Sequence, residues 1–419
     1  MEFRDVQEAA TAWGVSARLV QRLCAEGRVP GARKIGRSWA IPPDVEKPAD
    51  PRTASEEGGS ASRERGSVEG DARRIVRRPA PDSVPCLAFS NLMPLMSSSF
   101  APGSCRETIE GFKDPNTRAV AYAEFCYFSG RAEEAARIAG ERLSHPDLAV
   151  RLSACLIYAY ANLPLGNIRS ARFALEELRI ALRKSGLVSS DQSRSMEAFT
   201  AYAASVLLHL PAPDDLPPVS SFSRMLPFGV RLFALYVRAH QLYLQGEYAR
   251  SLGVVEAALL SETGTYPIPE IYLRLVAVMD CMSLKQTDAA REHLLAAWQI
   301  ARPDGLIEAF GEHHGLLGGM LESVIKKDWP EDFKRIIDVT YRFSAGWRRI
   351  HNSVTEETVA DNLTTTEFAV SMLAARGWTN REIGVHLDVS ANTVKSYLAS
   401  SYRKLGISRR QDLGRFMLR

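Results

Sequence analysis

The chain has 419 residues, of which 46% are hydrophobic and 24% are charged, a composition typical of a globular protein with two or three domains. Its longest apolar runs are shorter than a membrane span, and no apolar signal-peptide core follows Arg4 and Asp5. The net charge of +3 is unevenly distributed, because residues 16–40 and 376–419 are strongly basic and the rest is acidic. Two basic ends predict polyanion binding at the termini, with two merely solvated surfaces as the alternative.

The six cysteines are scattered, without a CxxC pair or a histidine at metal-ligand spacing: Cys24, Cys86, Cys105, Cys126, Cys155 and Cys281. They predict reduced, mostly buried thiols in a cytoplasmic protein, with a disulfide or zinc framework as the alternative. Adjacent residues of a helix point about 100° apart, so His313 and His314 are not expected to share a metal ion. No metal site and no cofactor are predicted.

Residues 1–42 predict a small helix-turn-helix with a two-stranded wing. Asp5 caps a helix that runs to Trp13, and Ser16 caps a second helix that Gly27 ends. The residues ARKI, a Gly36–Arg37 turn and SWAIP then form the wing.

This segment resembles the MerR/excisionase-like winged helix-turn-helix, most clearly in its GR.W.IP closure. The resemblance implies a DNA-binding module, although no dimerising helix follows Pro42 and Pro43. The DNA-contacting residues expected here are Ser16, Arg18, Gln21, Arg22, Arg33, Lys34 and Arg37. The alternative is a small protein-interaction domain on the same scaffold.

Residues 43–85 predict a disordered linker. Between residues 48 and 72 there is no aromatic residue, and Val68 is the sole branched aliphatic residue. Such a segment cannot bury enough apolar surface to offset the entropy lost on ordering.

Residues 86–350 predict a helical domain in which four segments share one frame. A small residue or valine comes first (Ala123, Ala159, Ala239, Val278), and a turn residue follows seven positions later (Gly130, Gly166, Gly246, Lys285). Five positions after that comes another small residue (Ala135, Ala171, Ser251, Ala290). Small residues at these places let paired helices approach closely.

This frame resembles the tetratricopeptide (TPR) repeat, with a degenerate unit within 196–211. It is similar in particular to the helical domain of MalT-type regulators, in which residues 297–326 would form a late helical hairpin. The resemblance implies a sensor or interaction domain for an unknown small-molecule or protein effector.

Residues 360–419 carry dense helix-start signals. Thr364 and Glu367 predict a capping box, Thr379 opens a short helix, and Ser390 caps a third helix after a turn at Asp388. On the third helix an apolar stripe lies opposite a polar and basic face, which predicts a helix-turn-helix; a generic three-helix bundle is the alternative.

The motifs LT..E, G.TNREI, L.VS.NTVKSYL and KLGI..R resemble the LuxR-type (GerE) DNA-binding domain. The resemblance implies that Lys395, Ser396 and Ala399 face base edges, and that a fourth helix at 409–418 pairs two copies on an inverted repeat. The full set of expected DNA-binding residues is Thr379, Asn380, Arg381, Ser390, Asn392, Thr393, Val394, Lys395, Ser396, Tyr397, Ala399, Arg403 and Lys404.

We therefore expect a mainly α protein with three parts: a winged helix-turn-helix, a TPR-like repeat domain and a four-helix LuxR-type reader. No phosphate loop, dinucleotide fingerprint or hydrolase motif is present in the sequence, so no catalytic residue and no enzyme activity are predicted. The predicted function is that of a bacterial cytoplasmic transcription regulator which binds double-stranded DNA as a homodimer, with RNA polymerase as a candidate partner and no membrane. The alternative function is a TPR-like protein-interaction scaffold with secondary DNA contact.

Overall fold

The computed structural model describes residues 4–13, 15, 17–25, 29–35, 38–43, 45, 92–184, 191–207, 214–260, 264–355 and 363–417. The chain divides into two units, residues 1–79 and residues 80–419. Both units are built mainly from α-helices, as the sequence predicts. The linker predicted at 43–85 lies almost wholly outside the described residues.

The N-terminal unit contains two helices, α1 (Val6–Trp13) and α2 (Ala17–Ala25), and two antiparallel strands, β1 (Arg33–Ile35) and β2 (Ser38–Ala40). The Asp5 carboxylate accepts the backbone N–H groups of Gln7 and Glu8 at 2.8 Å each, which confirms the predicted cap of α1. The paired strands confirm the two strands predicted here, whereas the predicted Gly36–Arg37 turn lies outside the described residues. Residues from both helices and the hairpin form the core of this unit: Ala9, Ala10, Val20, Cys24, Val29 and Ile41.

The second unit begins with a helical region, which we define as residues 92–355. Its α-helices are α3 (Cys105–Glu110), α4 (Pro115–Phe128), α5 (Ala132–Gly140), α6 (Leu148–Asn162), α7 (Ile168–Lys184), α8 (Asp191–Leu207), α9 (Val219–Phe222), α10 (Phe228–Leu244), α11 (Tyr248–Leu260), α12 (Pro267–Ser283), α13 (Thr287–Ala301), α14 (Glu308–His313), α15 (Lys326–Asp328) and α16 (Pro330–Thr355). Four pairs of consecutive helices, α4–α5, α6–α7, α10–α11 and α12–α13, pack side by side as hairpins.

All four hairpins turn in the same way. The predicted turn residues Gly130, Gly166, Gly246 and Lys285 adopt φ values between +60° and +81°. Each donates its N–H to the carbonyl three residues earlier, and the next residue donates to the carbonyl five residues before it, at 2.8–3.3 Å. This pair of hydrogen bonds is a common way to end a helix, and it requires a residue in the left-handed conformation. The turn positions predicted from the shared frame are therefore confirmed.

The small residues of the frame are buried where the helices meet. The exposed fraction is at most 3% for all of them: Ala123, Ala159, Ala239, Val278, Ala135, Ala171, Ser251 and Ala290. Ser251 also donates a hydrogen bond of 2.8 Å from α11 to the carbonyl of Ala239 on α10. Close contact between the paired helices thus depends on the residue sizes that the sequence predicted.

The helical hairpin predicted at 297–326 is wrong. After α13 the chain forms a 3₁₀ turn (Arg302–Asp304), α14, a second 3₁₀ turn (His314–Leu317), a π-helical segment (Leu321–Ile325) and α15. Pro303 lacks the N–H that a continuing helix needs. Gly305, Gly318 and Gly319 then adopt positive φ values, which end each short segment.

The second unit ends with α17 (Thr365–Ala375), α18 (Asn380–Leu387) and α19 (Ala391–Leu405), followed by a 3₁₀ helix at Arg410–Arg415. We call residues 363–417 the reader. The last element is the fourth helix predicted at roughly 409–418, and it is a six-residue 3₁₀ helix. Its Leu413 is fully buried against α17.

The five cysteines in the described ranges, Cys24, Cys105, Cys126, Cys155 and Cys281, are buried free thiols, as predicted. Burial raises the pKa of Cys155 to about 12 and that of Cys281 to about 11, which keeps both thiols protonated and unreactive. Within the described residues, no helix combines the length and apolar character that a membrane crossing requires.

Candidate nucleic-acid interface

The three α-helices of the reader begin at side-chain caps. Thr364 and Glu367 cap α17 reciprocally, and Thr379 and Glu382 cap α18 in the same way. The hydroxyl of Ser390 accepts the N–H of Thr393 at 3.0 Å and starts α19. These caps confirm the predicted helix starts, and they place α18 and α19 in fixed orientations around the turn.

The turn between α18 and α19 depends on Asp388. This residue adopts a φ of 54°, and the N–H of the following Val389 donates to the carbonyl of Gly384 at 2.9 Å. A Cβ on Gly384 would lie 2.6 Å from the carbonyl oxygen of Val389, so the close approach of the two helices requires glycine there. The result is the short helix, tight turn and longer helix of a helix-turn-helix.

One side of α19 is exposed and polar. We define the outer face by five exposed residues: Asn392, Lys395, Ser396, Ala399 and Arg403. Among the described residues, Lys395 and Arg403 form no ion pair, so both cations are free to approach an anionic partner. The opposite side is buried through Leu398 and Ser401.

The other residues predicted to contact DNA fall into three groups. Thr379, Arg381 and Ser390 are exposed, whereas Asn380, Thr393, Tyr397 and Lys404 are half-buried. Val394 is completely buried, which corrects its inclusion among the DNA-binding residues, since it belongs to the apolar stripe of α19. Asn380 accepts a hydrogen bond of 2.9 Å from Arg410, so its carbonyl oxygen is engaged within the reader.

Lys404 is engaged in an ion pair. Its ammonium lies 2.7 Å from Glu367, a carboxylate that is 7% exposed. Burial alone would raise the pKa of Glu367, but the Lys404 ammonium and the hydrogen bonds from Thr364 and Ser400 outweigh it and hold the pKa at about 2. Lys404 therefore fastens α19 to α17 and has less freedom to reach a phosphate than Arg403.

Residues 361–417 match the family model of the bacterial regulatory proteins of the luxR family, called GerE. The reader is a LuxR-family helix-turn-helix. The match supports a DNA-binding transcription regulator. No curated protein and no solved structure matches the chain.

The LuxR-family domain rests on a glycine-rich stretch of the helical region, residues 315–319, which we call the glycine segment. A Cβ on Gly315 would lie 2.3 Å from Cε1 of Phe368, and one on Gly319 would lie 2.5 Å from Cδ2 of Leu387. Glycine at these positions lets α17 and α18 pack directly on the backbone.

Polar contacts accompany this packing. The guanidinium of Arg376 donates to the hydroxyl of Tyr243 and, at 2.7 Å, to the carbonyl of Leu316. The His386 ring lies 3.0 Å from the carbonyl of Gly318, and Lys285 lies 3.4 Å from Glu382. The docked domain leaves the outer face of α19 exposed.

Sequence reasoning missed the roles of Arg376 and Arg410. In the sequence both belong simply to the basic C-terminal segment, yet Arg376 contacts the helical region, and Arg410 donates to the carbonyl of Trp378 and to Asn380. The sequence did offer one indication of the contact made by Arg376. This residue stands at the C-terminus of α17, next to Gly377, where a side chain lies at the edge of its domain.

In the N-terminal unit the described part of the predicted site is exposed. Gln21 on α2 and Arg33 and Lys34 on β1 face solvent. Ser16, Arg37 and the side chains of Arg18 and Arg22 lie outside the described residues.

The adjacent histidines His313, the last residue of α14, and His314, the first of the following 3₁₀ turn, face different partners. The His313 ring lies 2.8 Å from the Ala309 carbonyl and 3.1 Å from the Tyr236 hydroxyl, whereas His314 lies 2.8 Å from Glu322. Burial lowers the pKa of His313 to about 4, so its ring is neutral at pH 7.

Proposed function

We propose that this chain is a bacterial transcription regulator whose LuxR-family domain recognises duplex DNA through the outer face of α19. The exposed outer face of a domain that matches the luxR family carries this proposal. Lys395, Ser396 and Ala399 face base edges, Ala399 through contact with a thymine methyl group, and Thr379, Asn392 and Arg403 approach phosphates. Two copies bind an inverted repeat in the cytoplasm, where RNA polymerase is a candidate partner.

The finer proposal is that the helical region controls the reader as a TPR-like, MalT-like sensor. The repeated left-handed turns and buried small residues support the repeat assignment, and the packing of the glycine segment on α17 and α18 supports the coupling. An effector bound by the helical region then changes how two readers pair on DNA.

The N-terminal unit is proposed to make a second DNA contact through a MerR-like winged helix-turn-helix. The capped α1, the β1–β2 wing and the exposed Arg33 and Lys34 support this role. A protein-interaction role on the same scaffold is the alternative for this unit.

Selection of bound duplexes from a random pool tests the DNA-binding proposal. The intact protein is expected to enrich one inverted-repeat sequence, and Ser396→Ala and Lys395→Ala are expected to lose that enrichment. Arg33→Ala serves as the matched variant for the N-terminal unit and is expected to weaken binding without changing the selected sequence. Enrichment of no sequence by the intact protein would instead support a protein-interaction scaffold.

A further inference from the structure

A partly open cavity lies in the helical region; the space within it, including the open solvent at its mouth, is about 840 Å³. Its walls come from the first helices of the hairpins and from α7, α8 and α14, and the side chains that line it are mostly apolar, among them Leu156, Phe199 and Val230. None of the sequence motifs predicted this cavity.

One end of the cavity is acidic. The carboxylate of Glu312 lines it and accepts hydrogen bonds from the hydroxyls of Tyr127 at 2.5 Å and Tyr272 at 2.8 Å. Within the described part of the chain, Glu312 forms no ion pair, and burial raises its pKa. The two tyrosine hydroxyls donate, so this end presents a carboxyl group held in place without a counter-ion.

A second carboxyl group strengthens this acidic character. Glu308 lies one helical turn before Glu312 on α14, is 2% exposed, and has one oxygen buried without a hydrogen-bond partner. Burial and the negative charge of Glu312 raise the pKa of Glu308, and the Arg342 guanidinium opposes this shift from beyond ion-pair distance. Glu312, which lines the cavity and is half-buried, and the buried Glu308 next to it on α14 therefore have little compensating positive charge, which favours a cationic ligand at Glu312.

Aromatic rings surround the acidic end. Tyr127, Phe128, Tyr160, Phe233 and Tyr272 line the same cavity. The faces of aromatic rings attract cations, most strongly where water is excluded. A protonated amine satisfies both the carboxylate and the rings, whereas an anionic ligand would face uncompensated repulsion from Glu312.

We propose that the cavity binds a small hydrophobic amine, with its ammonium group at Glu312 and its hydrocarbon body between Phe199, Phe233 and Leu156. A neutral alcohol of the same shape satisfies the hydrogen bond but gains neither the charge pairing nor the cation–ring attraction. Head-group charge, more than body shape, therefore determines which ligands bind.

The position of α14 connects this cavity to the reader. Glu312 lines the cavity, and Gly315, three residues later, contacts Phe368 of α17. The segment that would receive the ammonium group thus continues directly into the glycine segment on which the reader rests. This link to DNA binding rests on the proposed function, whereas ligand binding itself does not.

Titration calorimetry on the full chain tests the site with three probes that share a phenylalkyl body: 2-phenylethylamine, 2-phenylethanol and 3-phenylpropanoate. The amine is expected to bind at least about tenfold more tightly than the alcohol, and the carboxylate is expected not to bind at about 1 mM. Glu312→Gln should remove the preference for the amine, while Glu176→Gln, a change at an exposed carboxylate of α7, should leave it unchanged.

A second variant tests whether the amine binds in this cavity even if the Glu312→Gln variant does not fold. Ala204→Phe fills the cavity and leaves the carboxyl groups intact, so it should abolish binding of the amine. The inference is overturned if no amine binding is detected at about 1 mM, if the alcohol binds as tightly as the amine, or if amine binding survives Ala204→Phe.

A final experiment tests separately whether amine binding controls DNA binding. Fluorescence anisotropy with the selected duplex, with and without saturating 2-phenylethylamine, measures the coupling. A change in DNA affinity that Glu312→Gln abolishes supports both proposals. Amine binding with an unchanged DNA affinity supports the ligand site and contradicts the proposed control.

Discussion

Lys395 and Ala399, one helical turn apart on the outer face of α19, offer DNA very different chemistry. An ammonium group such as that of Lys395 can donate hydrogen bonds to guanine acceptors in the major groove, whereas a methyl group such as that of Ala399 can contact only a thymine methyl group. Arg403, further along the helix, is exposed and suits a phosphate. Specificity and affinity are therefore expected to depend on different residues.

Substitutions at these positions separate the two contributions. Lys395→Ala should cost about 1–3 kcal/mol of binding to the selected duplex and relax base preference, because a base contact is lost. Arg403→Ala should weaken binding to all duplexes and reduce the salt slope by about 1, because one phosphate contact is lost. Anisotropy titrations at several salt concentrations measure both, with Lys334→Ala on α16 as the surface control. Identical changes in salt slope and base preference for Lys395→Ala and Arg403→Ala would contradict the assignment.

The Glu367–Lys404 pair makes the stability of the reader depend on pH. The pKa of Glu367 is about 2 in the folded chain and ordinarily 4.5, so the pair stabilises fully above about pH 4.5, and this contribution is lost as the pH falls toward 2. Glu367→Gln should therefore lower Tm most at pH 7, and the difference from the wild type should shrink between pH 5 and pH 3. Thermal unfolding followed by circular dichroism measures this, with Glu331→Gln as the exposed control. If the difference in Tm between the wild type and Glu367→Gln stayed constant between pH 5 and pH 3, the ion pair would contribute nothing to the stability of the reader.

At the scale of elements, the sequence predicted the features that depend on a single residue type at a single place. The caps at Thr364, Thr379 and Ser390, the left-handed turn residues and the small residues at helix crossings follow from local sterics and hydrogen bonding, and they are present in the structure. The predicted cap at Ser16 lies outside the described residues. The broken segment 297–326 was not predicted, because its apolar periodicity is helical and only the spacing of Pro303 and the glycines interrupts it. The family likeness gave the place of the fourth helix of the reader, and its 3₁₀ form was not predicted.

Two glycine-to-alanine substitutions near the turn of the α10–α11 hairpin are expected to change the stability of the protein in opposite directions. Gly246 has a φ of +76°, and no atom of the described residues lies within 4 Å of where an added Cβ would be, so Gly246→Ala should destabilise by about 1–2 kcal/mol through backbone strain alone. Gly253 lies inside α11, also in open space, so Gly253→Ala should stabilise by about 0.5–1 kcal/mol. Urea unfolding of the full chain measures both variants. Changes of the same sign in the two variants would refute the left-handed turn.

At the scale of the whole second unit, the contact between the reader and the helical region is the least predictable feature. Arg376 bonds to Tyr243, 133 residues away, and Phe368 rests on a glycine backbone 53 residues before it. Periodicity and caps act over a few residues, so no local pattern signals such a pairing. The LuxR-like motifs predicted the reader itself, but not what lies against it.

Gly315→Ala tests this contact without altering any residue of the reader. The added Cβ would overlap the Phe368 ring, so α17 should loosen from the glycine segment. Hydrogen exchange read by mass spectrometry should show faster exchange of the α17 amides, whereas Gly253→Ala should not change them. If the α17 amides of the Gly315→Ala variant exchanged as slowly as those of the wild type, the proposed packing of the reader on the glycine segment would be contradicted.

Genome-wide occupancy of the intact protein and its Lys395→Ala variant, produced at equal levels in the same bacterium, tests the central claim most directly. We predict discrete sites that share an inverted repeat for the intact protein, and loss of those sites for the variant. Absence of enriched sites for the intact protein, or the same sites for both proteins, would contradict DNA recognition through the outer face of α19.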